Sequence, residues 1–189
     1  MIGAWFATAV LVLADPAPPP PLPSTTALLE ELEQSPEGSA RLPIHHRLLG
    51  HYWRDVASDG DQALPEVELL EPGARFSACG KAPASNAYCP ESAQIGIDAR
   101  GLLSRLRLQS SPSVELTALT VLAHEWGHHV NQAIDQGPFK GREEDAADWR
   151  AGRYLGWLMA NKVLSVEQFT EAANLSLIHI SEPTRLEPI

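Results

Sequence analysis

Apolar residues recur at helical spacing through residues 41–58, RLPIHHRLLGHYWRDVAS, where Ile44, Leu48, Leu49, Tyr52, Trp53 and Val56 fall on one stripe. That spacing predicts an amphipathic helix. PEVELLEPGARFSACG follows as a short strand candidate, broken by the turn at Pro72-Gly73. In QIGIDARGLLSRLRL, Ile95 and Ile97 alternate as on a strand, and the chain then passes into a helix or turn near Leu102. The longest helical signal runs from Ser113 to Ala133. Ser113 is placed to cap it, Glu115 follows, and Leu116, Leu119, Val121, Leu122 and Val130 supply its apolar positions. QGPFKGR breaks the pattern. A second long helix is expected from near Glu143 to beyond Met159, and a third over roughly Ser165 to Asn174. No internal repeat is visible.

The two ends depart from this pattern. Residues 2–13 of MIGAWFATAVLVLADPAPPPPLP form an apolar run of signal-peptide length, and Leu13-Ala14 with Ala17 offer small residues near a cleavage site. The run is too short to span a bilayer comfortably, so export to the periplasm, envelope or exterior is expected, with no stable membrane span in the mature form. Residues 15–23, DPAPPPPLP, read as a polyproline linker between leader and domain. At the other end LSLIHISEPTR, residues 175–185, resembles the translation of a transposon mosaic-end sequencing adapter. The domain is therefore read as 24–174, with 1–23 as leader and linker and 175–189 as an adapter-derived tail. His179 is set aside, and the natural chain is expected to continue past residue 174.

Composition narrows the classes. Over 189 residues, 44% hydrophobic and 20% charged content are globular values. A formal charge of −10 argues against a nucleic-acid partner, which needs clustered Lys and Arg. The two cysteines, Cys79 and Cys89, lie close together in a Gly/Pro/Ser/Asn-rich segment. In an exported chain they are expected to form a disulfide, whose short loop contributes about 2–3 kcal/mol.

Within 122–132, LAHEWGHHVNQ, three histidines and a glutamate occupy six positions. His124 and His128 are four apart on the expected helix, so both imidazoles project from one face and can reach one ion. Glu125 is rotated about 100° around the axis, beside such an ion and able to take a proton from water. This is the H-E-x-x-H arrangement of zinc peptidases. The metzincin pattern would need Gly at 131 and His at 134, where this chain has Asn131 and Ile134. The third ligand is instead sought in GREEDAADWRAG. There Glu144 and Asp148 lie four apart on one helix face, Glu144 as ligand and Asp148 as acceptor for the N–H of a liganding histidine, His124 by preference. Glu143 competes for the ligand role, but four residues on it has Ala147. His129 points about 100° away from His128 and is expected behind the site or facing solvent. His45, His46 and His51 are expected in solvent or in ordinary packing.

Four blocks, in order, resemble the bacterial neutral zinc metallopeptidases: HRLLGHYWRDVAS with LPEVELLEPG, SACGKAPASNAYCPESAQIGID, VLAHEWGHHVNQ, and EDAADWRAG. Together they cover most of residues 41–160. The resemblance implies a zincin-like α+β fold, a small mixed sheet with a zinc-binding helix and a following glutamate helix. It implies one Zn2+ on His124, His128 and Glu144, with Glu125 as general base. It also implies that the IGID strand is the sheet edge over the cleft, where an extended peptide substrate adds as a strand. The chain departs from the family in three places. The stretch between His128 and Glu144 is shorter than usual, Trp149 replaces a common cysteine, and the helical sequence usual after a segment like VEQFTEAANL gives way to the adapter-like residues. Zinc-dependent peptide hydrolysis is thus expected, with the oxyanion donor open among Tyr88, His129 and residues beyond 174. Two rivals stand: a non-catalytic zinc-stabilised module that holds peptides, and a zinc hydrolase of non-peptide amides. Glu125 argues against the first, because a purely structural site has no use for a base. Oligomeric state is not readable.

Overall fold

The computed structural model describes residues 24–57, 63–77, 86–105, 112–133 and 141–181. Along these the chain forms α1 (Thr25–Gln34), α2 (Leu42–His51), β1 (Glu66–Leu69), β2 (Asn86–Cys89), β3 (Gln94–Ile97), α3 (Ala99–Arg105), α4 (Val114–Ala133), α5 (Glu143–Ala160) and α6 (Val166–Ser181). The class is mixed α+β. The leader, the linker and Cys79 lie outside the described residues, and so does the expected pairing of Cys79 with Cys89. Cys89 itself ends β2 and is fully buried.

Helix α4 forms the centre, in contact with α2, α3, α5, α6, β2 and β3. Its start follows the expected chemistry: Ser113 Oγ accepts the Leu116 N–H at 3.0 Å, satisfying one of the free donors of the first turn. Because neighbours surround it, α4 is buried from Leu116 through Gly127 rather than along one stripe. Helix α6 opens on a reciprocal cap, in which Ser165 and Gln168 each accept the other's backbone N–H. It then runs to Ser181, past the expected end near Asn174, and buries Ala172 and Leu175.

Helix α2 begins with Pro43 in its first turn and passes at its end into a wider turn over Tyr52–Val56. The Ala57 N–H reaches back five residues to the Tyr52 carbonyl at 2.8 Å. Ile44, Leu48, Leu49, Tyr52 and Trp53 are buried as their spacing predicts, but Val56 is 47% exposed. The extra residue in the turn rotates Val56 off the 3.6-residue stripe. Helix α1 is an element that the sequence pattern did not bring out: Ser24 caps it, and Leu28 and Leu32, one turn apart, enter the core.

The sheet has the order β1-β3-β2, with β1 parallel and β2 antiparallel to β3. The IGID strand is therefore central, which corrects the expectation that it forms the edge over the cleft. Its burial gives the reason. Ile95 and Ile97 sit in the core on one face, and on the other a Cβ at Gly96 would lie 2.3 Å from the Phe76 ring. Both edges of β3 are in addition already paired, with β1 and with β2, so none is left free for a substrate strand. Asp98 then turns the chain into α3. Its carboxylate accepts the Gly101 N–H at 2.7 Å and the Gly73 N–H at 3.0 Å, while its own N–H donates to Asn86 Oδ1. Among the described residues no helix is long and apolar enough to cross a membrane.

His45 and His51 are buried, so packing, not solvent, is their fate. Burial, with Arg41 nearby, lowers His45 to about 4, and burial lowers His46 to about 4 as well. Below pH 6.5 the unfolded chain takes up protons that the folded chain refuses, so stability falls as pH drops from 6.5 towards 4. For His45 the full effect is on the order of 3 kcal/mol. His45→Gln is expected to flatten the fall in urea midpoint between pH 7 and 5. An unchanged slope would remove His45 from the effect.

Candidate metal centre

Backbone contact between α4 and α5 builds this site. A Cβ placed on Gly127 would lie 2.6 Å from the Ala147 carbonyl oxygen and 2.7 Å from its Cα. With Ala146, Ala147 and Ala151 buried on the facing side of α5, small residues on both helices allow that approach. It brings the first two turns of α5, which carry Glu144 and Asp148, against the turn of α4 that carries His124 and His128. Acidic residues are also favoured at this helix start, where the backbone N–H groups lack partners.

In the resulting cluster His124 Nδ1 donates to Asp148 Oδ1 at 2.8 Å. That bond fixes the ring so that Nε2 faces the other way. His124 Nε2 lies 3.1 Å from His128 Nε2 and 3.2 Å from Glu144 Oε2, and His128 Nε2 lies 3.5 Å from the same oxygen. The two rings stand edge to face, 81° apart. His124 is buried, His128 half-buried, and the Glu144 side chain 60% exposed, so the cluster opens outward on the Glu144 side.

These three residues could hold a metal ion; one ligand atom from each lies within 4.8 Å of the others. The spacing can be tested against a particular ion. Four ligands around zinc at 2.0–2.1 Å sit about 3.3 Å from one another in a tetrahedron. The separations of 3.1, 3.2 and 3.5 Å match that value, and two imidazoles with a carboxylate suit zinc chemically. The electrostatics agree with a cation site. Burial disfavours charge on His124, but the bonds to Asp148 and Glu144 and the charge of Glu125 outweigh it and push the ring up to about 10. The hydrogen bond from His124, helped by His128, holds Glu144 well below the usual carboxylate range.

Each expected site residue has a definite place. Glu125 follows His124 on α4 and is 3% exposed. Glu143 stays outside the cluster; its backbone carbonyl accepts from Asn131 Nδ2 at 3.4 Å. Trp149 is exposed, with Arg153 over its ring. His129 does not face solvent. It is buried, with its ring bonded to the Tyr88 hydroxyl and the Ala63 carbonyl. The reason is the packing of β2 on α4, which covers that side of the helix. Gly127 was not picked out as a site residue; its only signal was a glycine between two histidines in mid-helix, which costs about 1 kcal/mol unless packing requires it.

A cavity of about 210 Å³ lined by Leu42, Leu69, Ile97, Val114 and Ala118 lies at the start of α4. Ten residues separate that end from His124, about 15 Å along the axis, so the cavity is not part of the metal group. No family model matches the chain, and no curated protein and no solved structure is significantly similar to it.

Proposed function

We propose that this chain is a zinc-dependent metallopeptidase of zincin-like architecture, related to the bacterial neutral zinc metallopeptidases. The observation that carries the reading is the gathering of His124, His128 and Glu144 at zinc-ligand spacing, with Asp148 behind His124 and Glu125 next to it. When bound, zinc would lower the pKa of a coordinated water towards 7 and polarise the scissile carbonyl. Glu125 takes the water proton and passes it to the leaving amine. Asp148 holds the His124 tautomer that points Nε2 at the cluster, and Glu144 supplies a carboxylate from the exposed side. The outward opening leaves room for a peptide, whereas a structural zinc site closes its fourth position. Export, with a Cys79–Cys89 disulfide, completes the proposal.

Competitive titration against a zinc chelator tests the ligand set. One zinc per chain is expected, and Glu144→Ala should weaken binding by about a hundredfold or more. Asp148→Asn, which keeps the shape but loses the charge behind His124, should weaken it by about 10–100-fold. Zinc affinity unchanged in both variants would sink the assignment.

A further inference from the structure

We propose that His129 is a positioning residue that ties both outer strands of the sheet to α4 and so sets where an extended peptide lies relative to the metal group; this rests on the peptidase reading above. His129 Nε2 lies 2.8 Å from the Ala63 carbonyl oxygen, which only accepts, so Nε2 carries the hydrogen. In the neutral ring Nδ1 is then an acceptor, and the Tyr88 hydroxyl donates to it at 3.0 Å. The ring is buried, edge-on to Trp126 at 5.2 Å and to Tyr88 at 5.3 Å between centroids.

The two partners belong to opposite sides of the sheet. Ala63 precedes β1 by three residues and Tyr88 lies in β2, and among the described residues these are the outer strands of the order β1-β3-β2. One imidazole, one position after His128, therefore sets the placement of both strands against α4. Both ring nitrogens are used, so His129 has no hydrogen left for a substrate oxyanion. Tyr88 gives its hydroxyl hydrogen to His129. The pair thus acts on placement, and the chemical step draws on other groups.

The test compares wild type, Tyr88→Phe, His129→Phe and the double variant as zinc-loaded full chains. Phe keeps the ring packed against Trp126 and removes the hydrogen bonds. Kinetics are measured on a peptide extending several residues to each side of the cut and on a blocked dipeptide, with zinc affinity and amide exchange in β2 alongside. Zinc affinity should stay within about twofold, while KM for the long peptide rises about tenfold and kcat holds. The dipeptide should be unaffected. His129→Phe should exceed Tyr88→Phe, and the double variant should match His129→Phe alone, because the Tyr88 bond passes through that ring. A fall in kcat at constant KM in Tyr88→Phe would make Tyr88 an oxyanion donor and overturn the proposal, as would equal effects on both substrates or none. If His129→Phe fails to fold, Tyr88→Phe, which keeps the Ala63 bond, decides. A wild type that cleaves neither substrate overturns the peptidase reading. The tie is then judged by amide exchange alone: faster exchange in β2 of either variant supports it, and unchanged exchange overturns it.

Discussion

On the proposed metallopeptidase reading, replacing Glu125 by Gln should lower peptide hydrolysis by at least about a hundredfold while zinc still binds. The substitution preserves size and removes only the ability to accept a proton. Glu125 is not a member of the ligand cluster, so the three donors and their spacing persist. Its negative charge beside the cluster also favours a bound cation, so a loss of zinc affinity of up to about tenfold is expected alongside. Metal content by elemental analysis and initial rates on one peptide substrate separate the two effects. Equal rates in the two proteins would remove Glu125 as the base. Loss of zinc and rate together would make it a structural residue.

Gly127→Ala should disable the proposed metal site without changing His124, His128 or Glu144. The added Cβ meets Ala147 backbone atoms at 2.6 and 2.7 Å, and backbone cannot move aside as a side-chain tip can. The two helices must separate, at a cost of about 1–3 kcal/mol in stability. Glu144 and Asp148 ride on α5 and move with it. Their bonds to His124, at 3.2 and 2.8 Å, are expected to lengthen by several tenths of an ångström or more. Zinc affinity should then drop by about a hundredfold, as for losing a supporting carboxylate and part of a ligand. Gly152→Ala is the control. It lies on α5 with nothing within 4 Å of the added Cβ, so the change should be neutral or stabilising by up to about 1 kcal/mol. If both variants bind zinc alike, close approach of the helices does not set the site.

The group of His124, His128 and Glu144, which could hold a metal ion, was legible because it depends on local spacing. His124 and His128 one helical turn apart, and Glu144 and Asp148 likewise, share a face wherever the helices go. Individual strands and helices were legible from period-2 and period-3.6 stretches, and the α+β class followed from the family resemblance. Strand order was not. The alternation in QIGI picks out Ile95 and Ile97 as one buried face, but it shows neither that Gly96 is covered on the other face nor which strands lie to either side, and β3 proved central. The wide turn at Tyr52–Val56 was hidden because a single extra residue leaves the apolar spacing before it intact. The tie at His129 depends on contacts between segments far apart in the chain. A histidine that simply follows His128 gives no hint of whether a strand or water will cover it.

Peptide hydrolysis by the zinc-loaded chain is the most direct measure of the central claim. A diverse peptide mixture is incubated with protein carrying one zinc per chain, and the products are read by mass spectrometry. New peptide termini should appear, vanish on chelation and return when one equivalent of zinc is restored. A chain that holds stoichiometric zinc on His124, His128 and Glu144 yet yields no new termini would contradict the peptidase account.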